Sequence, residues 1–178
     1  MREYFDDQTV LVTQAMNIDQ LDRRILRVLQ ADADITNEEL AKQVHSSAAT
    51  TQRRVRRLKD IGAIQKVVAV VDPAIVGEPL LAIVEVTMAA QNTETLSAFE
   101  ALALKSTWVQ QCYRVSTGPD FVLVLAVPDM ATYNTLAASL FSAVHEVRNV
   151  RTFFVVARSK FGTDIPVGAV FDDQAASR

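Results

Sequence analysis

One segment of this chain has the pattern of an amphipathic helix with two opposed faces, namely SAATTQRRVRRLK at Ser47–Lys59. Ala48, Thr51 (through its methyl group), Val55 and Leu58 recur every three or four residues and form one stripe. At 100° per residue, the opposite face carries Ala49, Thr50, Arg53 and Arg57, with Arg54 and Arg56 at its shoulders. The segment therefore predicts a helix with a core face and a basic outer face.

The outer face of this helix matches what entry into a DNA major groove requires. Small residues allow close approach, and arginines reach guanine edges and phosphates. A solvated, arginine-rich surface helix would show the same pattern, so the helix alone leaves both interpretations open.

The surrounding elements favour the DNA interpretation. The stripe from Ile18 to Leu29 predicts a first helix, and Thr36 with Glu39 predicts a capping box for a second. Ser46 or Ser47 would cap the arginine helix, and Gly62 would end it. Because a β-rich run, Ile64–Val71, follows, residues 18–72 predict a winged helix-turn-helix domain.

Within this domain, Arg53 and Arg57 are our candidates for contacts with base edges. Phosphate contacts are expected from Arg54, Arg56 and Lys66, and from Thr50 or Gln52. Ser47 and Ala49 complete the predicted DNA-binding set at the helix N-terminus.

Charge and composition agree with DNA binding by one end of the molecule. The 178 residues carry a net charge of −3, yet residues 18–66 hold ten basic and seven acidic residues.

Cys112 is the only cysteine, which excludes an internal disulfide or a cysteine-built zinc site and fits a reducing cytoplasm. We see no apolar run of the roughly 20 residues that span a membrane, and no membrane partner is expected. We interpret residues 1–17 as an N-terminal extension that is not a signal peptide.

A second domain is predicted over residues 80–160, after a linker at 73–79, with residues 161–178 as a C-terminal tail. The expected order is strand, helix, two strands, helix, strand, which predicts an α+β ferredoxin-like βαββαβ sandwich. The predicted elements are Leu80–Thr87, Thr95–Leu104, Trp108–Val115, Phe121–Val127, a helix capped by Asp129, and Val150–Ala157.

The strands of this sandwich are apolar on both faces, although its helices would cover only one. Phe121–Val127 reads FVLVLAV, and Phe153–Ala157 reads FFVVA. Because so large an apolar surface is unusual on a soluble monomer, we expect a homodimer that buries sheet against sheet.

Together, the two modules resemble the Lrp/AsnC family of transcription factors, also called feast/famine regulators. The resemblance covers about residues 18–160. It rests on the motifs IDQLDRRILRVLQADADITNEELAKQV, RRVRRLKDIGAI, VVDPAIVG, VPDMATY and VRTFFVV. It implies a DNA-binding domain followed by a sandwich that forms dimers and often octamers. It also implies that small effectors, often amino acids, bind near the loop between the second and third strands, at interfaces between dimers.

Carried over to this sequence, the effector residues are Ser116, Thr117, Gly118 and Asp120 of that loop, with Met130 and Phe153. Turn amides near Gly118 could hold an effector carboxylate and Asp120 its ammonium group, although Gly-Pro-Asp is also ordinary turn chemistry. The chain departs from the family pattern at His45-Ser46, where Gly-Leu is usual, at Glu146, where glycine is common, and at Arg114, where an apolar residue is frequent.

The sequence thus predicts a transcriptional regulator without a cofactor, whose oligomer responds to an amino acid. An architectural DNA-binding protein without an effector is the alternative. An enzyme on the sandwich domain is disfavoured, because no metal-ligand cluster, phosphate loop or nucleophile motif is recognisable and neither His45 nor His145 lies in a catalytic motif.

Overall fold

The computed structural model describes residues 18–142 and 145–167, so the N-terminal extension at 1–17 and most of the expected tail lie outside the described part. The described chain divides into two compact units. One comprises residues 18–69 with 161–167, and the other comprises Val70–Lys160. Residues 161–167, which the sequence assigned to a tail, thus belong with the first unit.

The first unit is built on three helices, α1 (Gln20–Ala31), α2 (Asn37–Gln43) and α3 (Ala48–Asp60). Ser47 caps α3 by accepting a hydrogen bond from the N–H of Thr50, and Gly62 follows its end with a φ of 74°, as predicted. Thr36 caps α2 by accepting a hydrogen bond from the N–H of Glu39, as predicted, but between these two described residues the structure shows no reciprocal bond to the Glu39 side chain. A full capping box forms at α1, where Asp19 and Asp22 each accept a hydrogen bond from the other's backbone N–H.

The core of this unit joins all three helices. Ile25 of α1, Leu40 of α2 and Leu58 of α3 are fully or almost fully buried, together with Val44 at the end of α2. Thr51 is also buried, as its place on the predicted stripe requires, whereas Ala48 is exposed. The stripe therefore positions α3 correctly from its second turn onward, and the first turn projects beyond the core.

The predicted β element at Ile64–Val71 is wrong for this chain: residues 65–72 form no strand. Val67, Val68, Val70 and Val71 are all more than half exposed. A β-rich sequence needs a neighbouring strand to complete its hydrogen bonds, and within the described residues none lies beside this run. A single-turn helix, α4 (Pro73–Val76), follows it.

The second unit is the predicted sandwich. Its elements are β1 (Leu80–Met88), α5 (Thr93–Ala103), β2 (Val109–Arg114), β3 (Phe121–Val127), α6 (Met130–Leu140) and β4 (Val147–Phe154). The strands form one sheet in the order β2-β3-β1-β4, with antiparallel neighbours throughout. The last strand begins and ends three residues before its predicted bounds.

The two faces of the sheet differ as expected. One face contributes Ala82, Val84, Val86 and the alternate residues of β3 to a core with Leu96, Phe99 and Leu136 of the helices. The other face carries Ile83, Val122, Val124, Tyr113 and Phe153, of which Ile83, Tyr113 and Phe153 are exposed. Glu85, the polar exception in β1, pairs across the sheet with Arg151 at 3.4 Å. The described chain therefore leaves a broad, mainly apolar sheet face uncovered.

The segment that follows β4 docks on the first helix of the first unit. The side-chain amide of Gln30 donates to the carbonyl of Ile165 at 3.1 Å and accepts from the N–H of Ile165 at 2.8 Å. Arg27 donates to the carbonyl of Val167 at 3.1 Å. These hydrogen bonds join side chains of α1 to backbone atoms about 135 residues further along the chain. The periodicity of the sequence does not predict such contacts.

Candidate functional sites

The outward face of α3 is the first candidate site. Ala49, Gln52, Arg53 and Arg56 are exposed, as are Ser47 before the helix and Lys66 after it, while Thr50 is half-buried. Ser47 also donates its hydroxyl to the hydroxyl of Thr50 at 2.9 Å, which orders the first turn. The helix thus presents small residues at its start and two exposed arginines further along.

The other two arginines of α3 are held inside the first unit. Arg54 forms ion pairs with Asp19 and Asp22 of α1, the latter at 3.2 Å, and Arg57 pairs with the same Asp22 oxygen at 3.0 Å. The Asp22 side chain is completely buried, whereas those of Arg54 and Arg57 are about one-third exposed. A buried carboxylate requires such partners, so this arginine–aspartate cluster fixes α3 against α1.

Charge and hydrogen bonding in the cluster reinforce each other. The backbone N–H of Asp22 and the guanidinium of Arg54 lower the pKa of Asp19. The hydrogen bond to Asp19 in turn raises the pKa of Arg54. Asp19 and Asp22 were not among the predicted functional residues. Their three-residue spacing before an apolar stripe is a capping-box signal, but their pairing with α3 is a tertiary contact.

The second candidate site is a cavity of about 310 Å³ at the loop between β2 and β3. Four of the six predicted effector residues line it, namely Ser116, Thr117, Gly118 and Asp120. Gln91, Leu96, Arg114, Val115 and Pro119 complete the lining. Gly118 has a φ of 89°, a backbone conformation that favours glycine and lets the loop turn sharply.

Asp120 is buried and already hydrogen-bonded. One carboxylate oxygen accepts from the backbone N–H of Met88 at 2.7 Å, and the other accepts from the side-chain amide of Gln91 at 2.9 Å. Its backbone is bound as well, since its N–H donates to the carbonyl of Val86. Asp120 therefore joins the loop to the end of β1, a structural role that the sequence did not indicate.

Met130 and Phe153, the other two predicted effector residues, do not line this cavity. Phe153 pairs opposite Ile83 and so projects from the uncovered face of the sheet, below Arg151, whose guanidinium lies 5.4 Å from the ring centre. Met130 is the first residue of α6 and is almost half exposed. Within one chain, the structure thus separates these residues from the loop cavity.

Arg114 occupies the end of β2 beside the loop. It pairs opposite Phe121, so it lies on the side of the sheet that the helices cover, and its side chain lines the cavity while remaining exposed. Across residues 18–142 and 145–167, its guanidinium forms no ion pair or side-chain hydrogen bond. Arg114 therefore supplies the cavity with a guanidinium that has no ion-pair partner in these ranges, although the carboxylate of Asp120 lines the same cavity.

In the described part of the chain, the residue types that commonly bind metals or act in catalysis do not come together in a site. No group of three or more histidine, cysteine, aspartate or glutamate side chains in the described ranges could hold a metal ion. Cys112 is half-buried in β2, and burial together with the charge of Glu100 raises the pKa of its thiol, which lowers its reactivity. Among the same residues, we find no helix long and apolar enough to cross a membrane.

Comparisons with known proteins agree with both units. Residues 18–59 match the AsnC-type helix-turn-helix domain, and residues 81–165 match the Lrp/AsnC ligand binding domain. These matches cover α1–α3 and all four strands of the sheet, apart from the terminal residues Asp60 of α3 and Leu80 of β1.

Individual relatives extend the similarity over most of the chain. An uncharacterized HTH-type transcriptional regulator from Haemophilus influenzae is 39% identical over 148 residues, which are 83% of this chain and 88% of the relative. The leucine-responsive regulatory protein of Salmonella typhimurium is 35% identical over 81% of this chain and 88% of its own length. A transcriptional regulator from Neisseria meningitidis, solved as a complex with L-Met, has a TM-score of 0.76 and 26% identity, covering 86% of this chain and 99% of that one.

The comparisons confirm the predicted resemblance and the α+β fold that it implies. They also confirm that the sandwich does not make this chain an enzyme, because the family consists of transcription regulators. With a helix-turn-helix domain and a ligand-binding domain in the family's order, this chain belongs to the Lrp/AsnC family of transcriptional regulators.

Proposed function

We propose that this protein is a sequence-specific regulator that binds double-stranded DNA through α3 and whose oligomer responds to a small effector, an amino acid. The observation that carries the proposal is that the four arginines of α3 fall into two pairs with different surroundings. Arg54 and Arg57 fix the helix to α1, while Arg53 and Arg56 remain exposed on the same helix. A recognition helix needs both a fixed position and free side chains for the groove.

This arrangement refines the predicted DNA contacts. Arg53 is our candidate for a guanine edge, and Arg56 for phosphate. Because the Arg57 guanidinium lies on Asp22, we assign it to positioning the helix, as we do Arg54. Supporting contacts come from Ser47, Ala49, Thr50, Gln52 and Lys66. Such a protein acts in the compartment that holds the DNA, which we propose is the cytoplasm.

The uncovered sheet face supports a homodimer as the active unit. Ile83, Tyr113 and Phe153 are exposed on a face whose centre is Val122 and Val124 of β3. Burial of this face against a second copy would remove the apolar surface from water and pair two copies of α3 for a pseudo-palindromic site. Association of such dimers into octamers follows the family pattern.

The loop cavity supports the effector part of the proposal. It brings hydroxyls, an amide and a guanidinium around a space large enough for an amino acid. The Neisseria relative solved with L-Met and the leucine-responsive relative bear names that refer to amino acids. We propose that Met130 and Phe153 reach an effector only through a second copy of the chain.

Fluorescence anisotropy with DNA from upstream of the protein's own gene, across a salt series, tests the DNA-binding part. Arg53→Ala should weaken specific binding by about 1–3 kcal/mol, with little change on random DNA. Arg24→Ala, at an exposed arginine of α1, is the matched control and should bind as the wild type does. Equal losses on specific and random DNA would show that Arg53 contacts phosphate only.

The same samples test the remaining parts of the proposal. Sedimentation velocity should show a dimer or a larger assembly, and a monomer at micromolar concentration would contradict the proposed use of the sheet face. Titration of amino acids should change the anisotropy or the assembly. If no amino acid does so up to millimolar concentration, the architectural alternative replaces the effector-responsive regulator.

A further inference from the structure

The charges around the loop cavity indicate more than the presence of a ligand. We infer that the cavity selects a small effector of net negative charge, an acidic amino acid, whose additional carboxylate binds the guanidinium of Arg114. This inference rests on the proposed effector function and narrows it to one chemical class.

The first argument is the state of Arg114. Its side chain lines the cavity, and in the described part of the chain it has neither a carboxylate partner nor a side-chain hydrogen bond. Arg151, an exposed arginine on the same sheet, is by contrast paired with Glu85. A guanidinium presents a planar fork of donors that fits a carboxylate with two parallel hydrogen bonds.

The second argument is the state of Asp120, the other charged group of the lining. Both of its oxygens already accept hydrogen bonds, from Met88 and from Gln91, and its side chain is buried. Asp120 is therefore less able to neutralise Arg114 directly or to serve as the first acceptor for a ligand ammonium group. Neutral donors do not cancel the charge of Asp120, but they occupy both of its oxygens. Arg114 is therefore the charged group of the lining whose donors remain available, and the complement of a guanidinium is a carboxylate.

The third argument is the remainder of the lining. Ser116, Thr117 and Gln91 contribute hydroxyl and amide groups, whereas Leu96, Val115 and Pro119 contribute a small apolar surface. A large aliphatic side chain would gain little from the walls that one chain supplies, because the gain in affinity scales with the apolar area buried. A short polar or charged side chain would instead meet donors for its oxygens.

Isothermal titration of the full-length oligomer with matched pairs of ligands tests the inference. L-Glutamate is compared with L-glutamine and L-aspartate with L-asparagine, since each pair differs by one charge at nearly constant shape. We expect the acids to bind about ten- to a hundredfold more tightly than their amides. Arg114→Gln should remove this preference, Arg114→Lys should retain part of it, and Arg148→Gln, at an exposed arginine of β4, should leave it unchanged.

The outcomes separate this inference from the proposed function. Equal affinity for acids and amides, or an acid preference that survives Arg114→Gln, would overturn the inference and leave an amino-acid effector in place. Binding of L-leucine alone would have the same meaning. If 2-oxoglutarate, which lacks the ammonium group, bound as tightly as glutamate, selection of an anion would stand and the amino-acid class would fall. Absence of binding by every ligand of this set would overturn the inference, whereas the effector part of the proposed function falls only if no amino acid changes the anisotropy or the assembly.

Discussion

Among the residues that the structure describes, each of the two units buries one aspartate, and the units compensate the two carboxylates differently. Asp22 in the first unit is enclosed by the guanidinium groups of Arg54 and Arg57. Asp120 in the second unit accepts hydrogen bonds from neutral groups, the N–H of Met88 and the amide of Gln91. In the first unit, two arginines of α3 thus stabilise the fold by pairing with this aspartate. In the second unit, Arg114 and the buried carboxylate line the same cavity but form no ion pair.

This difference shows how charge is divided between stability and function. In the first unit, positive charge fixes the helix that carries Arg53 and Arg56, so binding depends on the cluster only indirectly. In the second, neutral donors hold Asp120, so the local cation remains available to a ligand. Removing the two buried carboxylates should therefore have different consequences, which two substitutions test. Two further substitutions compare the units at a strained backbone position in each.

The largest effect is expected for Asp22→Ala. It leaves two partly buried guanidinium groups without their shared partner and also removes the capping box of α1. Loss of one member of a buried ion pair costs about 3–5 kcal/mol, and the partial exposure of both arginines places this site at the lower end. Urea unfolding followed by circular dichroism measures the loss.

Asp60→Ala is the matched control for this change, because Asp60 is an exposed aspartate at the end of α3. Its effect should stay within about 0.5 kcal/mol. A loss below about 1 kcal/mol for Asp22→Ala would mean that the cluster contributes little to stability, and would remove our reason for assigning Arg54 and Arg57 to positioning the helix.

A smaller loss, about 1–3 kcal/mol, is expected for Asp120→Ala, because no cation is stranded and the main cost is the unsatisfied N–H of Met88. Hydrogen exchange gives a local readout: the amide of Met88 should exchange faster, while that of Val84, in the middle of β1, should change only as global stability does. Thr117→Ala in the same loop is the control. Unchanged protection at Met88 would show that the Asp120 carboxylate does not hold the end of β1.

The features predicted correctly from sequence depend on neighbouring residues. The caps by Ser47 and Asp129, the helix end at Gly62 and the strand Phe121–Val127 each follow from residues a few positions apart. The features that the sequence did not indicate involve distant partners. Arg57 was predicted to face DNA because periodicity places it outward, but Asp22, 35 positions earlier, holds its guanidinium. The β element at Ile64–Val71 has no partner strand in the described chain, and the separation of Phe153 from the loop depends on the register of β4 with β1.

The smallest effects are expected at one residue in each unit that adopts a left-handed backbone without being glycine. His45, between α2 and α3, has a φ of 56°, and Glu146, before β4, has a φ of 57°. These are two of the positions where the sequence departs from the family pattern, and at Glu146 the family commonly has glycine. A left-handed backbone at a residue with a Cβ lowers the free energy of unfolding by about 1–2 kcal/mol. Glycine relieves this strain, but it also increases the conformational entropy of the unfolded chain, so the net gain is smaller.

His45→Gly should therefore raise the free energy of unfolding by up to about 1 kcal/mol. Glu146→Gly should gain less, because it also removes the hydrogen bond from the Thr95 hydroxyl to the Glu146 carboxylate, 3.0 Å long and exposed. Urea midpoints of the two variants measure this order, and His45→Ala, which keeps the Cβ, is the control that should show no gain. A larger gain at Glu146 than at His45 would mean that the hydrogen bond to Thr95 contributes nothing measurable. A loss of stability with His45→Gly would show that the His45 side chain stabilises the turn by more than its backbone strain costs, so that the departure from glycine in the first unit is itself stabilising.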